Sequence, residues 1–409
     1  MTVVVGGGIV GLSSALALAR AGHRVVLYAP RDDDAPSWGN AGHIAVEQVA
    51  PLASRASLFS APAKLFARGG ALDFPLGMAR HWLPFSWEFV KATTPVRFAA
   101  GREALTSLLA DAMPAWRRLA ADLGTRDLVR ESGHLIAWES ASSAAAGALA
   151  WQNAAIGTAT LAPASQSVET RLADLTDRYL HGPVAFTGSG QISDLALLRE
   201  LLRSALIEAG AELRDTHAQI DVVDGRASID GSVPKTVLVS AGTGSRPLME
   251  RTGHRVPLIA ERGYHIRASA DRWPEDLPPV VFEDRSMIVT RYANCVQAAS
   301  FVELGDPATP PDPRKWQRLE THVADLGLPM GPPYRRWMGS RPTLPDYLPA
   351  IGKSRRASNL LYAFGHQHLG LTLGPLTGEI VAAMVNDTSA AHDLSPFDIE
   401  RFQPKRRQA

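Results

Sequence analysis

The chain has 409 residues, enough for a large buried core and for about two domains. Hydrophobic residues make up 45% of it and charged residues 20%, a balance typical of globular proteins that excludes a wholly disordered chain. The formal net charge of +1 provides no overall field to attract nucleic acid, so we expect no nucleic-acid partner. The single cysteine, Cys295, excludes an intrachain disulfide framework and favours a cytoplasmic location.

The N-terminal segment has the pattern of a strand, a glycine turn and a helix. Val3 to Val5 is a β-branched run typical of a buried parallel strand, and no basic segment of a signal peptide precedes it. A G-x-G-x-x-G motif follows, in which the glycines allow a tight turn, close approach to a pyrophosphate and helix–strand packing. A helix to Gly22 and a strand over residues 25–27 complete a β-α-β unit. The pattern predicts a dinucleotide site that includes Gly6, Gly8, Ile9, Val10 and Gly11.

One part of this site is missing from its usual place. An acidic residue about 20 positions after the motif normally holds the ribose hydroxyls, and Ala29 stands there. The run Asp32, Asp33 and Asp34 offers two alternatives, a contact to the ribose or a solvated loop. No second G-x-G-x-x-G with a preceding strand is present, which disfavours a separate nicotinamide site.

Further elements can be predicted in the middle of the chain. The spacing of leucines over residues 193–210 predicts an amphipathic helix, with Ser193 or Asp194 as its N-cap and Gly210 after its end. Asp224-Gly225 predicts the turn of a β-hairpin, and residues 236–239 form a buried strand. The turn over residues 241–245 that follows either contacts a cofactor or is an ordinary turn that ends the strand.

Several short segments resemble, in order, those of the D-amino acid dehydrogenase branch of the D-amino acid oxidase and glycine oxidase superfamily. They span residues 37–43 (SWGNAGH), 237–242 (VLVSAG), 262–264 with 289–292 (RGY and VTRY), 339–346 (GSRPTLPD) and 365–372 (GHQHLGLT). The resemblance covers nearly the whole chain and departs from the family at Ala29. It implies an α/β fold with a Rossmann-like FAD-binding domain and a discontinuous α+β substrate domain of antiparallel sheet and helices.

The resemblance also implies FAD as the cofactor and assigns residues to it. Beyond the glycine motif, these are Asn40, Ala41, Gly42, Ala241, Gly242, Arg341, Gly365, Leu369, Gly370, Leu371 and Thr372. A glycine loop that enters a helix, as in residues 365–372, directs N–H groups and a positive dipole end at an electron-rich ring. For Arg341, an ion pair with Asp346 that shapes the loop is the favoured alternative to substrate binding. We expect no metal site.

Substrate contacts are assigned to one arginine, one tyrosine and three histidines. Arg291 is the predicted carboxylate clamp, because a guanidinium can make two parallel hydrogen bonds to a carboxylate; a structural ion pair is the alternative. Tyr264 is either a second hydrogen-bond donor or a half-buried aromatic. His43 is either a proton acceptor or a structural residue. Of His366 and His368 in the flavin loop, we expect one to contact the ring or substrate.

We predict that residues 1–80, 186–252 and 331–409 form the FAD domain, and residues 81–185 and 253–330 the substrate domain. The resemblance implies oxidative deamination of a small D-amino acid, or of a D-imino acid such as a proline derivative, by hydride transfer from Cα to flavin N5. The D configuration depends on resemblance alone. Alternatives are an oxidase of N-methyl or secondary amino acids such as sarcosine or glycine, and a flavin-binding subunit of a larger complex.

The expected partners are a small amino-acid substrate, a quinone or other respiratory electron acceptor, and other subunits of a homo- or hetero-oligomer. Between Phe59 and Phe98, aromatic side chains alternate with Lys64, Arg68, Arg80 and Lys91. Such a mixture is typical of a membrane surface, which would give weak peripheral contact with an inner membrane. Helices that merely cover the substrate domain are the plainer interpretation.

Overall fold

The computed structural model describes residues 1–30, 35–388 and 391–403, and within them the chain forms twenty strands and eleven α-helices. In chain order the strands are β1 (Thr2–Val5), β2 (Val25–Tyr28), β3 (His43–Ile44), β4 (Leu72–Asp73), β5 (Val129–Arg130), β6 (His134–Trp138), β7 (Thr160–Pro163), β8 (His181–Thr187), β9 (Gly190–Ile192), β10 (Glu212–Arg214), β11 (Ile220–Val223), β12 (Arg226–Ile229), β13 (Thr236–Val239), β14 (Ile259–Ser269), β15 (Val280–Phe282), β16 (Met287–Arg291), β17 (Cys295–Gly305), β18 (Arg335–Thr343), β19 (Ala350–Lys353) and β20 (Leu360–Phe364). The helices are α1 (Ile9–Arg20), α2 (Arg55–Ser60), α3 (Ala79–Ala92), α4 (Pro95–Ala110), α5 (Ala112–Asp122), α6 (Ala141–Gln152), α7 (Gln166–Leu175), α8 (Leu195–Glu208), α9 (Ser245–Arg251), α10 (Pro313–Asp325) and α11 (Gly370–Val385).

A six-stranded sheet carries the N-terminal motif. Its strand order is β10-β2-β1-β13-β20-β19, and all neighbours run parallel except β19, which is antiparallel to β20. Both faces are covered: one apolar core joins the sheet to α1, α8 and α11, and another joins it to α9 and the β11–β12 hairpin. This arrangement explains why the strands are continuous runs of valine and leucine.

A second, nine-stranded sheet is mostly antiparallel. Its order is β18-β14-β17-β16-β15-β6-β8-β7, with β4 paired parallel to β17. Only β15 and β6 are also parallel. α10 packs on this sheet through Leu319 and Val323, which share a core with Ile266 and Ala298. The two sheets confirm the predicted α/β class, with a Rossmann-like part and an antiparallel part.

The predicted local elements agree with the structure. α8 covers the predicted helix, and the Asp194 carboxylate accepts the N–H groups of Ala196 and Leu197, each at 2.9 Å. Gly210 follows it with a left-handed φ of +77°. At the hairpin turn Asp224 and Gly225 have φ of +49° and +70°, the left-handed pair that a two-residue turn requires.

Two strands lie on the other side of a predicted domain boundary. β18 falls within residues 331–409 and β4 within residues 1–80, both assigned to the FAD domain, yet both pair in the nine-stranded sheet. β18 pairs with β14 along its full length, from Ile259 opposite Thr343 to Arg267 opposite Arg335. This long-range register leaves no local signal in the sequence. The remaining boundaries stay predictions.

Among the described residues, one segment, Gln367–Val385, is long and apolar enough to cross a membrane. Two thirds of it (67%) is buried inside the protein, where α11 shares the core of α1 and α8. Burial against other helices accounts for its apolar character.

Candidate active site

The turn between β1 and α1 is too tight for side chains at two of its glycines. A Cβ on Gly6 would lie 2.2 Å from the carbonyl oxygen of Ser240, and one on Gly11 would lie 2.0 Å from that of Gly6. α1 begins at Ile9 with Gly8 as its N-cap, and the Ser37 hydroxyl accepts the N–H of Ile9 at 3.1 Å. The positive dipole end of the helix favours an anion at this turn.

Three loops meet around a cavity of about 110 Å³ at one edge of the six-stranded sheet. They follow β1, β13 and β20, which are neighbours in the sheet, so the carboxyl ends of these parallel strands lie side by side. The predicted cofactor residues that line the cavity are Gly8, Ile9, Val10, Asn40, Ala241, Gly242, Arg341, Gly365, Gly370 and Leu371. Loops separated by more than 350 residues therefore form one site.

The other predicted cofactor residues lie around this cavity or beside it. Ala41 lines a second, larger cavity. Gly42 has φ +75°, and a Cβ there would lie 2.8 Å from the hydroxyl of Tyr292. Leu369 and Thr372 are buried, and the Thr372 hydroxyl accepts the N–H of Ala45 at 2.9 Å. These last two side chains hold the loop in position.

The larger cavity has a volume of about 1010 Å³. Strands β14, β17 and β18 of the nine-stranded sheet form one wall, and the segment from residue 57 to residue 90 forms another. Most of the exposed lining of this cavity is apolar. Pro36, Asn40 and Arg341 line both cavities, so the two are adjacent.

Arg341 lies where the two cavities meet. Its Nη2 donates to the carbonyl oxygen of Phe301 at 2.7 Å and lies 3.1 Å from Oε1 of Glu261, a residue that is 2% exposed. The predicted pair with Asp346 is wrong, because Asp346 pairs with Arg401 at 2.6 Å instead. Antiparallel pairing of β14 and β18 puts Glu261 directly opposite Arg341.

Arg291 does not line either cavity. Its Nη2 pairs with Glu275 at 2.8 Å and its Nε donates to the carbonyl oxygen of Trp273 at 3.2 Å. The alternation of side chains along β16 explains this position. Ile288 lines the larger cavity, whereas Val289, on the same side as Arg291, lies in the core of the sheet. The geometry therefore supports a structural ion pair at Arg291. It does not support the predicted role of Arg291 as the carboxylate clamp.

Tyr264 has its ring in the wall of the larger cavity and its hydroxyl in a buried ion cluster. The hydroxyl donates to Glu303 Oε2 at 2.8 Å, and burial together with that carboxylate raises its pKa well above the ordinary value. Glu303 also accepts from Arg262 and from Lys315, each at 2.7 Å. All four side chains are at most 1% exposed. The Tyr264 hydroxyl is thus held by hydrogen bonding within the cluster.

The three predicted histidines lie near the junction of the cavities. His43 and His368 line the larger cavity, and His366 lines the smaller one. Burial lowers the pKa of His366 to about 3 and that of His368 to about 4, so both are neutral near pH 7. His366 is hydrogen-bonded through Nε2 to the Thr377 hydroxyl at 3.1 Å, whereas Nε2 of His368 is buried without a partner among the described residues.

His43 has a buried carboxylate as its partner. Its Nε2 lies 3.0 Å from Oε1 of Glu47, which is 2% exposed. Burial would raise the pKa of Glu47, but the adjacent His43 ring and its hydrogen bond lower it to about 2, so the carboxylate is ionised. His134 packs edge-on against His43 with ring centroids 4.5 Å apart, and burial lowers its pKa to about 3. Ligand atoms of these three residues lie within 4.8 Å of one another, the spacing of a metal site.

Comparison with known proteins identifies the family. The family described as DAO, FAD dependent oxidoreductase, matches residues 1–384. The chain belongs to the DAO family of FAD-dependent oxidoreductases. It is 30% identical over 98% of both chains to a D-amino-acid oxidase of Bradyrhizobium diazoefficiens, and 25% identical over 94% of both to a D-amino acid dehydrogenase of Helicobacter pylori. Its fold resembles glycine oxidase of Geobacillus kaustophilus, with a TM-score of 0.72, 19% identity and 98% of each chain covered.

The loops around the smaller cavity fit the pyrophosphate part of FAD, the cofactor of this DAO-family enzyme. Gly8 lines that cavity without a side chain, and a Cβ on Gly6 or Gly11 would meet backbone, so only glycines allow the tight turn that a bound pyrophosphate requires. No larger residue fits at Gly365 without strain, because its φ is +78° and a Cβ there would lie 2.7 Å from the Leu344 side chain. No metal or cysteine is needed to hold the cofactor in this arrangement.

The adenosine end of the DAO-family site differs from the usual arrangement. Ala29 is 1% exposed, and its N–H donates to the carbonyl oxygen of Arg214 at 2.9 Å. The Arg214 side chain donates to the Tyr28 hydroxyl at 2.6 Å, beside the end of β2. Asp32, Asp33 and Asp34 lie outside the described residues, so their proposed contact to the ribose stays a prediction.

Sequence reasoning missed the carboxylates that accompany the site. Glu47 lies four residues after His43, and that spacing is the one local signal that could have found it. Glu261 and Glu303 lie on β14 and β17, and nothing near them in the sequence indicates their partners. Their pairing depends on the register of the nine-stranded sheet.

Proposed function

We propose that this DAO-family protein oxidises the amine-bearing carbon of a small D-amino acid. The overall reaction is D-amino acid plus acceptor plus water giving 2-oxo acid, ammonia and reduced acceptor. Loss of the α-hydrogen as hydride and of one proton from the nitrogen gives an imine, which water hydrolyses. The D configuration is supported by the likeness to a D-amino-acid oxidase at 30% identity. FAD, when bound, supplies the acceptor for the hydride.

The observation that carries the proposal is Arg341 at the junction of the two cavities. The hydrogen bonds and the ion pair of Arg341 use its Nε and Nη2 atoms, and 26% of its side chain is exposed in the cavity wall. The Nη1 edge is then available to a substrate carboxylate, and Glu261 and the Phe301 carbonyl hold the guanidinium plane in one orientation. A carboxylate bound here brings the rest of a small amino acid within reach of both cavities.

His43 is the proposed proton acceptor for the substrate amine. Ionised Glu47 can only accept a hydrogen bond, so the proton of His43 lies on Nε2, which faces that carboxylate. Nδ1 then carries a lone pair, and it is buried without a partner among the described residues. An amine must be neutral before its lone pair can stabilise an imine, and we assign acceptance of its proton to Nδ1 of His43.

Anaerobic mixing of the FAD-loaded enzyme with a panel of D-, L- and N-alkyl amino acids tests the reaction. We expect the 450 nm flavin absorbance to disappear with small D-amino or D-imino acids. Bleaching by L-amino acids alone would contradict the D configuration. Bleaching by sarcosine or glycine alone would favour an oxidase of secondary or N-methyl amines. If no amino acid bleaches the flavin, the chain is better explained as a flavin-binding subunit.

A pair of variants on β18 tests the clamp. Arg341→Met should raise KM for the amino acid about 30-fold, since a charge-assisted contact contributes roughly 2 kcal/mol. Arg335→Met removes an exposed arginine from the same strand and should leave KM within about twofold. Equal KM values for the two variants would remove Arg341 from the proposal. Flavin content of both variants shows whether the cofactor site is intact.

The electron acceptor is proposed to be a quinone or another respiratory carrier. Turnover with a quinone analogue, without hydrogen peroxide in air, is the expected result. Stoichiometric peroxide in air would instead identify oxygen as the acceptor. Native-mass measurement of the FAD-loaded protein would test the expected oligomer.

A further inference from the structure

Helix α3 is apolar on two opposite faces, which is unusual for a helix at the surface. Its inner face directs Trp82, Phe85 and Phe89 into the wall of the larger cavity. Its outer face carries Leu83, Trp87 and Val90, which are 55%, 65% and 46% exposed. These three are spaced at i, i+4 and i+7, so they form one stripe along the helix. A row of exposed apolar side chains on a surface helix marks an interaction surface.

The same stripe has basic residues at its ends. Arg80 and Lys91 are exposed at the two ends of the apolar row, and the Lys91 ammonium lies 5.2 Å from the Trp87 ring. An apolar centre between basic ends is the pattern of helices that lie in the interface of an anionic bilayer. Leu76, on the turn that leads into α3, adds an apolar side chain that is 88% exposed.

The surroundings of α3 are also basic. Between residues 55 and 98 there are six exposed basic residues and two acidic ones. The six are Arg55, Lys64, Arg68, Arg80, Lys91 and Arg97. Both acids are already paired with basic groups: Asp73 with Lys315 at 2.7 Å, and Glu88 with Arg255 at 2.9 Å and with Lys91 at 3.3 Å. The surface around the stripe therefore carries a local positive charge that the net charge of the chain does not reveal.

This surface is continuous with the mouth of the larger cavity. Leu52, Lys64 and Val90 are exposed and also line that cavity, so they lie at its rim. Val90 belongs to the outer stripe of α3 as well. A surface that rested on the stripe would thus lie beside the opening through which molecules reach the cavity.

We propose that the outer face of α3 and the basic rim of the larger cavity dock onto an anionic lipid bilayer, which brings the cavity mouth to the membrane surface. Apolar stripe residues enter the interface, and the basic residues bind lipid headgroups. A second copy of the chain is a poorer occupant, because a twofold contact would bring the same basic residues against each other. The proposal goes beyond the substrate chemistry and does not depend on it.

Co-sedimentation of the FAD-loaded enzyme with vesicles tests the docking. We expect binding to phosphatidylcholine vesicles that contain 30% phosphatidylglycerol, and much weaker binding to pure phosphatidylcholine. Salt at 0.5 M should reduce the binding, because it screens the headgroup contacts. No sedimentation with the anionic vesicles would overturn the proposal, as would equal binding to both kinds of vesicle.

Matched double variants locate the contact. Leu83→Ser with Trp87→Ser should lower the partition coefficient about tenfold. Leu149→Ser with Tyr179→Ser removes two apolar side chains of similar exposure, outside α3, and should leave it unchanged. Equal loss in both would overturn the assignment to α3. If the α3 variant instead abolishes a concentration-dependent dimer without vesicle binding, the face is a protein interface. Flavin absorbance checks that both variants are folded, and vesicle binding is measured without turnover.

Discussion

The two large sheets line the adjacent cavities with different chemical groups. The six-stranded sheet contributes the loops after β1, β13 and β20, whose glycines present backbone N–H groups to the smaller cavity. The nine-stranded sheet contributes large side chains to the wall of the larger cavity, and beneath it Arg262, Glu303 and Lys315 form a buried ion cluster. A cofactor with a constant phosphate group can be bound by backbone, whereas a substrate pocket requires side chains fixed by other side chains.

The ion cluster should be the most sensitive feature of the substrate side. Glu303→Ala leaves two buried cations without their shared carboxylate, and we expect the free energy of unfolding to fall by about 3–5 kcal/mol. Glu303→Gln keeps an acceptor for the Tyr264 hydroxyl but not the charge, so its loss should be smaller but clear. Urea unfolding followed by tryptophan fluorescence measures both. A change below about 1 kcal/mol for the alanine variant would show that the cluster contributes little to stability.

The glycine motif should be the most sensitive feature of the cofactor side. Gly11→Ala forces a methyl group against the carbonyl oxygen of Gly6, and the turn must shift. We expect a loss of about 1–3 kcal/mol in stability and a purified protein with little flavin. Gly210→Ala is a useful contrast, because that glycine also has positive φ but lies after α8 with open space around it. Gly210→Ala should lower the free energy of unfolding without affecting flavin content.

Stability should fall as the pH decreases, because buried histidines are neutral in the folded protein. The pKa of His134, of His265 and of His366 is lowered to about 3, mainly by burial. Between pH 6.5 and about 3 the unfolded chain takes up these protons and the folded protein does not. Each histidine then costs about 1.4 kcal/mol per pH unit below 6.5. A Tm measured from pH 7.5 to 5 should drop, and a flat profile would contradict the depressed pKa values.

The smallest effect is expected at Arg291. Its partner Glu275 is 84% exposed, and ion pairs with such residues contribute little. Arg291→Ala should therefore change stability by less than about 1 kcal/mol and KM by less than about twofold. Steady-state kinetics beside Arg341→Met gives the comparison directly. A large rise in KM for Arg291→Ala would instead support Arg291 as the carboxylate clamp, as predicted from the sequence.

Local features of the sequence were sufficient to predict strands β1, β2 and β13 of the six-stranded sheet and the glycine loops beside it. The glycine spacing, the Asp194 cap and the Asp224-Gly225 turn each act over a few residues, so their geometry follows from the residues themselves. The cofactor loops could be assigned because each carries its own glycines, although they meet only when the parallel strands align. The family, the fold class and FAD were correct for this reason.

The substrate side was decided by tertiary structure. Arg291 ends β16 and Arg341 lies within β18, and the sequence around each arginine does not tell which one faces the cavity. The alternation of side chains along β16 turns Arg291 away from the cavity. The register of β18 against β14 brings Arg341 opposite Glu261. The outer face of α3 is similar, since the sequence shows the mixture of aromatic and basic residues there but not which side chains are exposed. Side-chain direction in a sheet depends on pairing between distant segments, and a single sequence does not contain that pairing.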